Sequence, residues 1–464
     1  MLKKQTVVTL ILASSVLAPS ARAVDLIAMR TISGTYEDFA SQTAGPLENG
    51  IPGNLLGGIG SGLAYAGGTT FLALPDRGPN ANVYNPLVDD TVSYIARFHT
   101  LNLNLAPNAD TATGLPFTLT PMLVDTTLLS SPKPLVYGSG NGLNLGSGEP
   151  ALNAVNHTHY FTGRSDNFDP SQPSTNPNNA RLDPEGIRVS NNGQSVFVSD
   201  EYGPYVYQFD RQTGKRVKAF KLPANLAITT LSSQKDVEIA GNPVGRVTNK
   251  GMEGLAITPD GKMLVGMMQA NLEQDKKKSL RIVTIDLSGG ETHEYAYKLT
   301  DGSGVSEIVA VNNHQFLVDE RDGTGMADTP LLTDTASAAV VKKLFLIDLA
   351  GAQDVTDISG DLSVYAVSKT LFLDVVARLN DAGFNSYFIP SKLEGVTFGQ
   401  DVVVNGITKH TLYVANDNDF LATIADPLNL PGDATRGLVL NPNQIYVFAF
   451  DDSELPGFVP QQIK

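Results

Sequence analysis

One short phrase recurs along this chain and limits what it can fold into. A Glu-Gly pair, or a close variant, opens an apolar strand; a second apolar strand follows and ends in acidic residues. Copies start at Glu185-Gly186-Ile187, Glu253-Gly254-Leu255, Glu307-Ile308-Val309 and Glu394-Gly395-Val396, with a degenerate one at Ser61-Gly62-Leu63. Their second strands end at Asp200-Glu201, Met268-Gln269, Asp319-Glu320-Arg321, Asn416-Asp417-Asn418 and Asp76-Arg77. Repeats of supersecondary size bury their apolar faces against one another, so a long chain can avoid a single large core.

Several copies expand into four-strand units. Residues 183–223 give four apolar runs, with turns at Asn191-Asn192-Gly193 and Arg211-Gln212-Thr213-Gly214 that place Gly where a hairpin needs positive φ. Residues 251–299 repeat the plan through Pro259-Asp260-Gly261. Residues 304–358 form a third unit with an excursion at 322–335, and an N-terminal unit runs from about Leu55 to Val124. The unit at 392–451, with a long loop near 420–438, offers only three strands. Leu26 to Ile32 is a strand without a local partner, and we assign it to complete that last unit and close a ring. Closure protects sheet edges that would otherwise pair promiscuously. The reading is an all-β propeller of four-stranded antiparallel blades, five visible and six in total. Residues 125–182, rich in Gly, Asn, Ser and Pro, either hide the sixth or form a large loop over the channel mouth. A flat solenoid is the alternative, but it has no use for the N-terminal strand. Ser368 to Gly383 carries Leu371, Phe372, Val375, Val376 and Leu379 at helical spacing and reads as one inserted surface helix.

The first residues read as a secretory signal: Lys3 and Lys4, an apolar stretch from Val7 to Leu17, then Ala21-Arg22-Ala23. Cleavage after Ala23 leaves a single domain, residues 24–464, for the periplasm or the medium. The apolar stretch is too short for a stable anchor, and no later segment suits a membrane span. The chain has no Cys, which excludes disulfides and a lipid-modified Cys. The formal charge is −15, and removing Lys3, Lys4 and Arg22 makes the mature chain −18. That balance argues against nucleic acid as a partner.

In a propeller the first strand of each blade lines the channel, and the second returns to the face where the first began. Glu185 with Asp200, Glu307 with Asp319, and Glu394 with Asp417 would then be neighbours at one mouth. Glu185–Asp200 and Ser61–Asp76 share a fifteen-residue offset. Carboxylates gathered around one axis repel: at about 4 Å and an effective dielectric of about 20, each pair costs about 4 kcal/mol. A cation among them removes that cost. Oxygen donors without His or Cys favour Ca²⁺, which takes roughly six to eight flexible oxygens. The candidate ligands are Asp76, Glu185, Asp200, Glu253, Glu307, Asp319, Glu394 and Asp417. The competing reading has these groups bracing adjacent blades through backbone N–H bonds. Arg77, Arg321 and Arg164 stand near acids and could hold phosphate in bidentate fashion, or simply neutralise the carboxylates beside them. His157 and His159 could share a strand face, yet no third His is near, so a packing role fits better. No Gly-x-Ser-x-Gly elbow in a usable context and no P-loop is present.

The phrases Leu74-Pro75-Asp76-Arg77-Gly78, Asp183-Pro184-Glu185-Gly186-Ile187, Ser199-Asp200-Glu201-Tyr202-Gly203, Gly251-Met252-Glu253-Gly254-Leu255-Ala256 and Lys392-Leu393-Glu394-Gly395-Val396 together resemble the phytase-like family, labelled esterase-like activity of phytase. The resemblance covers roughly residues 50–450. It implies a bacterial exported β-propeller that acts on phosphoesters. It places Asp76, Arg77, Glu185, Asp200, Glu201, Glu253, Glu307, Asp319, Glu320 and Glu394 on matching positions. One departure is Met268-Gln269, where that blade offers an amide rather than a carboxylate. The resulting expectation is a monomeric calcium-dependent hydrolase of a small phosphorylated substrate. Arg77 and Arg321 hold phosphate, and Glu201 or Glu320 accepts a proton from water. The alternatives are a non-enzymatic binding propeller with structural calcium and a calcium-dependent lactonase or esterase.

Overall fold

The computed structural model describes residues 24–81, 91–108, 114–140 and 145–464, so the signal sequence read at 1–23 lies outside the described residues. Strand β1 (Asp25–Ile32) comes first. The first blade is β2 (Gly62–Tyr65), β3 (Thr70–Leu74), β4 (Arg97–Pro107) and β5 (Phe117–Leu128). A small pair, β6 (Ser130–Ser131) with β7 (His159–Tyr160), flanks helix α1 (Ala151–Asn156). The second blade is β8 (Pro184–Val189), β9 (Ser195–Asp200), β10 (Tyr205–Asp210) and β11 (Arg216–Lys221), followed by α2 (Lys235–Gly241). The third is β12 (Met252–Ile257), β13 (Met263–Met268), β14 (Ser279–Asp286) and β15 (Thr292–Lys298). The fourth is β16 (Gly304–Ala310), β17 (Gln315–Arg321), β18 (Lys342–Asp348) and β19 (Lys369–Asp374), followed by α3 (Val375–Asp381). The fifth opens with β20 (Leu393–Phe398), the short β21 (Val402–Val404) and β22 (Ile407–Asn416). After the β23 (Thr423–Ala425) and β24 (Leu438–Leu440) hairpin it continues with β25 (Asn443–Phe450). All pairings within the blades are antiparallel, and β1 pairs with β25 as the outermost strand of the fifth blade, as the unpartnered N-terminal run requires.

The inner strands pack in the cyclic order β2, β8, β12, β16, β20 and back to β2. Five blades therefore close the ring, and among the described residues no sixth is formed. Residues 125–182 lack sustained period-2 apolar runs; the described ones among them finish β5, make the β6–β7 pair and α1, and lie partly against the mouth. Gly163 sits so close to Arg77 that a Cβ there would collide with the Arg77 carbonyl. Each gap between neighbouring blades holds its own apolar cluster, as repeat stacking demands. Ile187, Val198 and Tyr207 meet Leu72 and Phe98 across one gap, and Ala256, Val265 and Ile282 meet Ile308 and Val318 across another. Inner strands β8 and β12 are buried along their whole length, whereas outer β11 buries only Arg216 and Phe220.

Two boundaries differ from the sequence reading. The fourth blade does not end near 358; its outer strand is β19, which takes Leu371 and Phe372 from the proposed helix. The helix is only α3, started where Asp374 accepts the Ala377 N–H at 3.0 Å. β-Pairing of 369–374 with β18 wins over the local 3.6-residue pattern. His157 caps the end of α1 with φ 49 while His159 lies in β7, so the two do not line one strand face. At the end of the chain, residues after β25 cross the far end of the ring. Val459 N bonds Val311 O at 2.8 Å and Lys464 N bonds Asn191 O at 2.9 Å. Gln461 Nε2 bonds Val189 O at 2.7 Å.

Candidate metal centre

The mouth is built by one local device. Among the inner strands, β8, β12, β16 and β20 each break register with the second strand, between Pro184 and Ile187, Met252 and Gly254, Val305 and Glu307, and Leu393 and Gly395. A bulge re-aims the side chain it carries. The bulges carry Glu185, Glu253, Ser306 and Glu394, and the Gly that follows three of them has a packing reason. A Cβ on Gly186 would stand 2.7 Å from Leu255 N, on Gly254 2.7 Å from Ile308 N, and on Gly395 2.8 Å from Gly60 O. At these three positions neighbouring inner strands leave no room for a side chain.

Counting from the paired Leu63–Ala73, Ile187–Val198, Leu255–Gly266, Ile308–Val318 and Val396–Val414, the equivalent positions at the second-strand ends are Asp76, Glu201, Gln269, Arg321 and Asp417. The fifteen-residue offset therefore misplaces Asp200, and Glu201 is the residue that shares the mouth with Glu185. The same count moves the fourth copy by one, so Ser306, not Glu307, matches Glu253 and Glu394.

Among the described residues three carboxylate triads result, each with oxygens within 4.8 Å of one another: Glu185–Glu201–Glu253, Asp76–Asp183–Glu185 and Asp76–Asp417–Asp419. Asp76 and Glu185 each belong to two triads, so the acids form one continuous run. Arg77 Nη1 pairs with Asp183 at 3.0 Å, and its Nε donates to Thr91 Oγ1 at 2.8 Å. Arg321 Nη2 lies 2.5 Å from Glu394 and 3.6 Å from Glu253, and its Nε donates to Ser306 Oγ. Lys392 Nζ pairs with Asp417 at 2.8 Å and with Asp419.

The balance is negative, and the proton affinities respond. Burial and then Asp417 push the Asp76 carboxyl well up; burial and then Glu253 do the same to Glu185 and Glu201. Burial raises Glu253 despite Arg321, and takes Glu394 to about 8. Asp417 goes the other way: burial is the largest influence and would raise it, but Lys392 and the hydrogen bonds from Asp419 together hold it low. A metal ion fits this donor set. The donors are oxygens, which suit a hard cation, and Glu253 Oε2 is buried without a hydrogen-bond partner.

Other candidate residues lie apart from the triads. Asp200 braces the second blade, accepting N–H bonds from Asp183 at 3.2 Å and Tyr202 at 3.0 Å, and burial pushes it up to about 7. Glu307 lies deeper, on the axis. Its Oε1 accepts from Leu255 N and Ile308 N, both at 2.9 Å, and its Oε2 pairs with Arg188 at 2.9 Å. Arg188 also donates to the carbonyls of Leu63, Ile187, Ile308 and Val396, which belong to four of the five inner strands. Asp319 pairs in register with Glu307, and burial raises it to about 7. Glu320 accepts from Tyr297 Oη at 2.6 Å and from the backbone of Asp301 and Gly302, and pairs with Lys369. Arg164 is held by Glu48 at 2.7 Å and Asp166 at 2.8 Å. Sequence reasoning missed Asp183, Asp419, Lys392 and Arg188. The acidic density of Asp183-Pro184-Glu185 and Asn416-Asp417-Asn418-Asp419, and the lone basic residue in the apolar β8, were the available signals.

A mostly β ring of five blades with a buried acidic mouth is a propeller with a candidate cation site. The chain belongs to the Phytase-like family, described as esterase-like activity of phytase, which it matches over residues 54–420. An uncharacterized secreted protein of Arthroderma benhamiae is 31% identical over 321 residues, 58% of this chain and 60% of that protein, so the chain matches about three fifths of its relative's length. Among solved structures, the Pseudomonas aeruginosa periplasmic gluconolactonase is 10% identical, with 84% of this chain and 87% of that one covered and a TM-score of 0.33. Kuenenia stuttgartiensis hydrazine synthase is 12% identical, with 51% and 66% covered and a TM-score of 0.24. Likeness at this level leaves the chemistry open. No described helix is long and apolar enough to cross a membrane.

Proposed function

We propose that this protein is an exported, monomeric, calcium-dependent phosphoesterase acting on a small phosphorylated substrate at the acidic mouth. The observation that carries the reading is the run of triads sharing Asp76 and Glu185. Such a run concentrates more negative charge than Arg77, Arg321 and Lys392 offset. Family membership supports ester chemistry. The signal-like first residues and the relative's printed name, a secreted protein, support export.

The ion would be held by carboxylates drawn from Asp76, Glu185, Glu253, Glu394 and Asp417, together with Asp183, Glu201 and Asp419. When bound, it supplies polarisation of a phosphoryl oxygen and a more acidic water. Arg77 and Arg321, 16% and 15% exposed, flank the acids and would orient the phosphate through their guanidinium forks. Glu201 sits beside Glu185 and Glu253 and would accept the proton of the attacking water. Glu320 suits that role less, because its oxygens are taken by Tyr297, Lys369 and backbone N–H groups.

The test is a panel of phytate, a chromogenic phosphate monoester, a phosphodiester and a lactone, each with calcium or chelator. Calcium-dependent phosphate release that falls at least a hundredfold in Glu201→Gln is the expected result. Turnover of the lactone alone would replace the reading with a lactonase. No turnover, with calcium still raising the melting temperature, would leave a binding propeller.

A further inference from the structure

The three triads differ in what already faces them. Among the described residues no basic group lies within ion-pair distance of Glu185 or Glu201. The one basic group facing Glu253 among the described residues is Arg321, at 3.6 Å, and Glu253 Oε2 is buried without a hydrogen-bond partner. The Asp76–Asp417–Asp419 triad is the opposite case. Lys392 Nζ stands 2.8 Å from Asp417 Oδ2 and also bonds Asp419 Oδ1.

The local backbone is arranged for this contact. Asp417 N bonds Lys392 O at 3.1 Å, and Asp419 N bonds Asp417 Oδ1 at 2.7 Å. Asp419 and Phe420 are consecutive left-handed residues, with φ of 53° and 56°, a conformation that persists only where surroundings enforce it. The Phe420 ring enforces it. It packs edge-on to Tyr94 at 4.9 Å, and it presses so close to Gly57 that a Cβ there would stand 2.5 Å from it.

We propose that Lys392 is the resident cation of the Asp76–Asp417–Asp419 triad, and that a divalent ion enters only the Glu185–Glu201–Glu253 triad. The inference rests on the metal reading above and decides which acids serve it. An ammonium is a compact point charge that competes for the same carboxylate oxygens as a metal ion. A second cation a few ångströms away would face its repulsion in a poorly screened site. Arg77 plays a similar part for Asp183 in the middle triad.

Calorimetric titration of the full chain with Ca²⁺ tests this. The wild type takes one ion. Lys392→Met takes two, because the vacated triad becomes available. Asp419→Asn leaves the single ion in place, while Glu253→Gln weakens it at least tenfold. An unchanged stoichiometry in Lys392→Met, or loss of the ion in Asp419→Asn to the extent seen in Glu253→Gln, overturns the assignment while leaving a metal site. No Ca²⁺ binding by the wild type overturns the metal reading itself. Circular dichroism checks each variant for folding; Lys392→Gln replaces Lys392→Met if the latter fails, and the Asp419→Asn comparison stands independently.

Discussion

Arg188 shares the axis with Glu307, inside a ring of backbone carbonyls. The inner strands bring their carbonyl oxygens together near the axis, and the guanidinium collects four of them together with the Glu307 carboxylate. Removing one partner of a buried pair strands the other, so Arg188→Met should cost about 3–5 kcal/mol in denaturant titrations. Adding Glu307→Gln should recover part of that loss. The cost should also be smaller at pH 5 than at pH 8, because burial raises Glu307 to about 7 and the carboxyl is then protonated at the lower pH. Residue types alone suggested a carboxylate at 307 and left its role open between ion ligand and brace; its contacts are those of a brace.

At the scale of elements, the bulge governs both the chemistry and the legibility of the site. The recurring Glu, the ring and the closing N-terminal strand could be read directly, because period-2 runs and turn glycines announce them. The register at the bulges could not. One extra residue flips every later side chain to the other face, which is why Asp200 gave way to Glu201 and Glu307 to Ser306. Asp183 and Asp419 escaped notice because they lie just outside strands, where period-2 patterning is silent. The glycines after the bulges carry the matching prediction. Gly186→Ala forces a Cβ to 2.6 Å from the Leu255 Cβ and should destabilise by about 1–3 kcal/mol in thermal or chemical unfolding. Gly45→Ala, with nothing within 4 Å of the new Cβ, should stay within about 0.5 kcal/mol of the wild type.

For the whole molecule, the gathered acids tie stability to pH and to ions. Burial raises Asp200, Glu307 and Asp319 to about 7 and Glu394 to about 8, from ordinary values of 3.8 for Asp and 4.5 for Glu. Groups raised in the folded state bind protons that the unfolded chain has released, so their stabilisation is complete below about pH 4 and is lost as pH climbs to about 8. Asp417 and Glu320, held low by Lys392 and Lys369 despite burial, pull the other way only at the acid end. Chelator-treated protein should therefore melt progressively lower from pH 5 to pH 8 in scanning fluorimetry. Burial also raises Glu185, Glu201 and Glu253, so protons compete with calcium at that triad, and calcium should raise the melting temperature more at pH 8 than at pH 5.

The terminal segment that runs past Val311 to Val189 and Asn191, with Arg188 above it, has a consequence for traffic. Among the described residues it ties the far ends of β8 and β16 together, opposite the acidic mouth. Under the phosphoesterase reading proposed above, substrate and released phosphate would both use that mouth, and the phosphate would compete with the next ester to arrive.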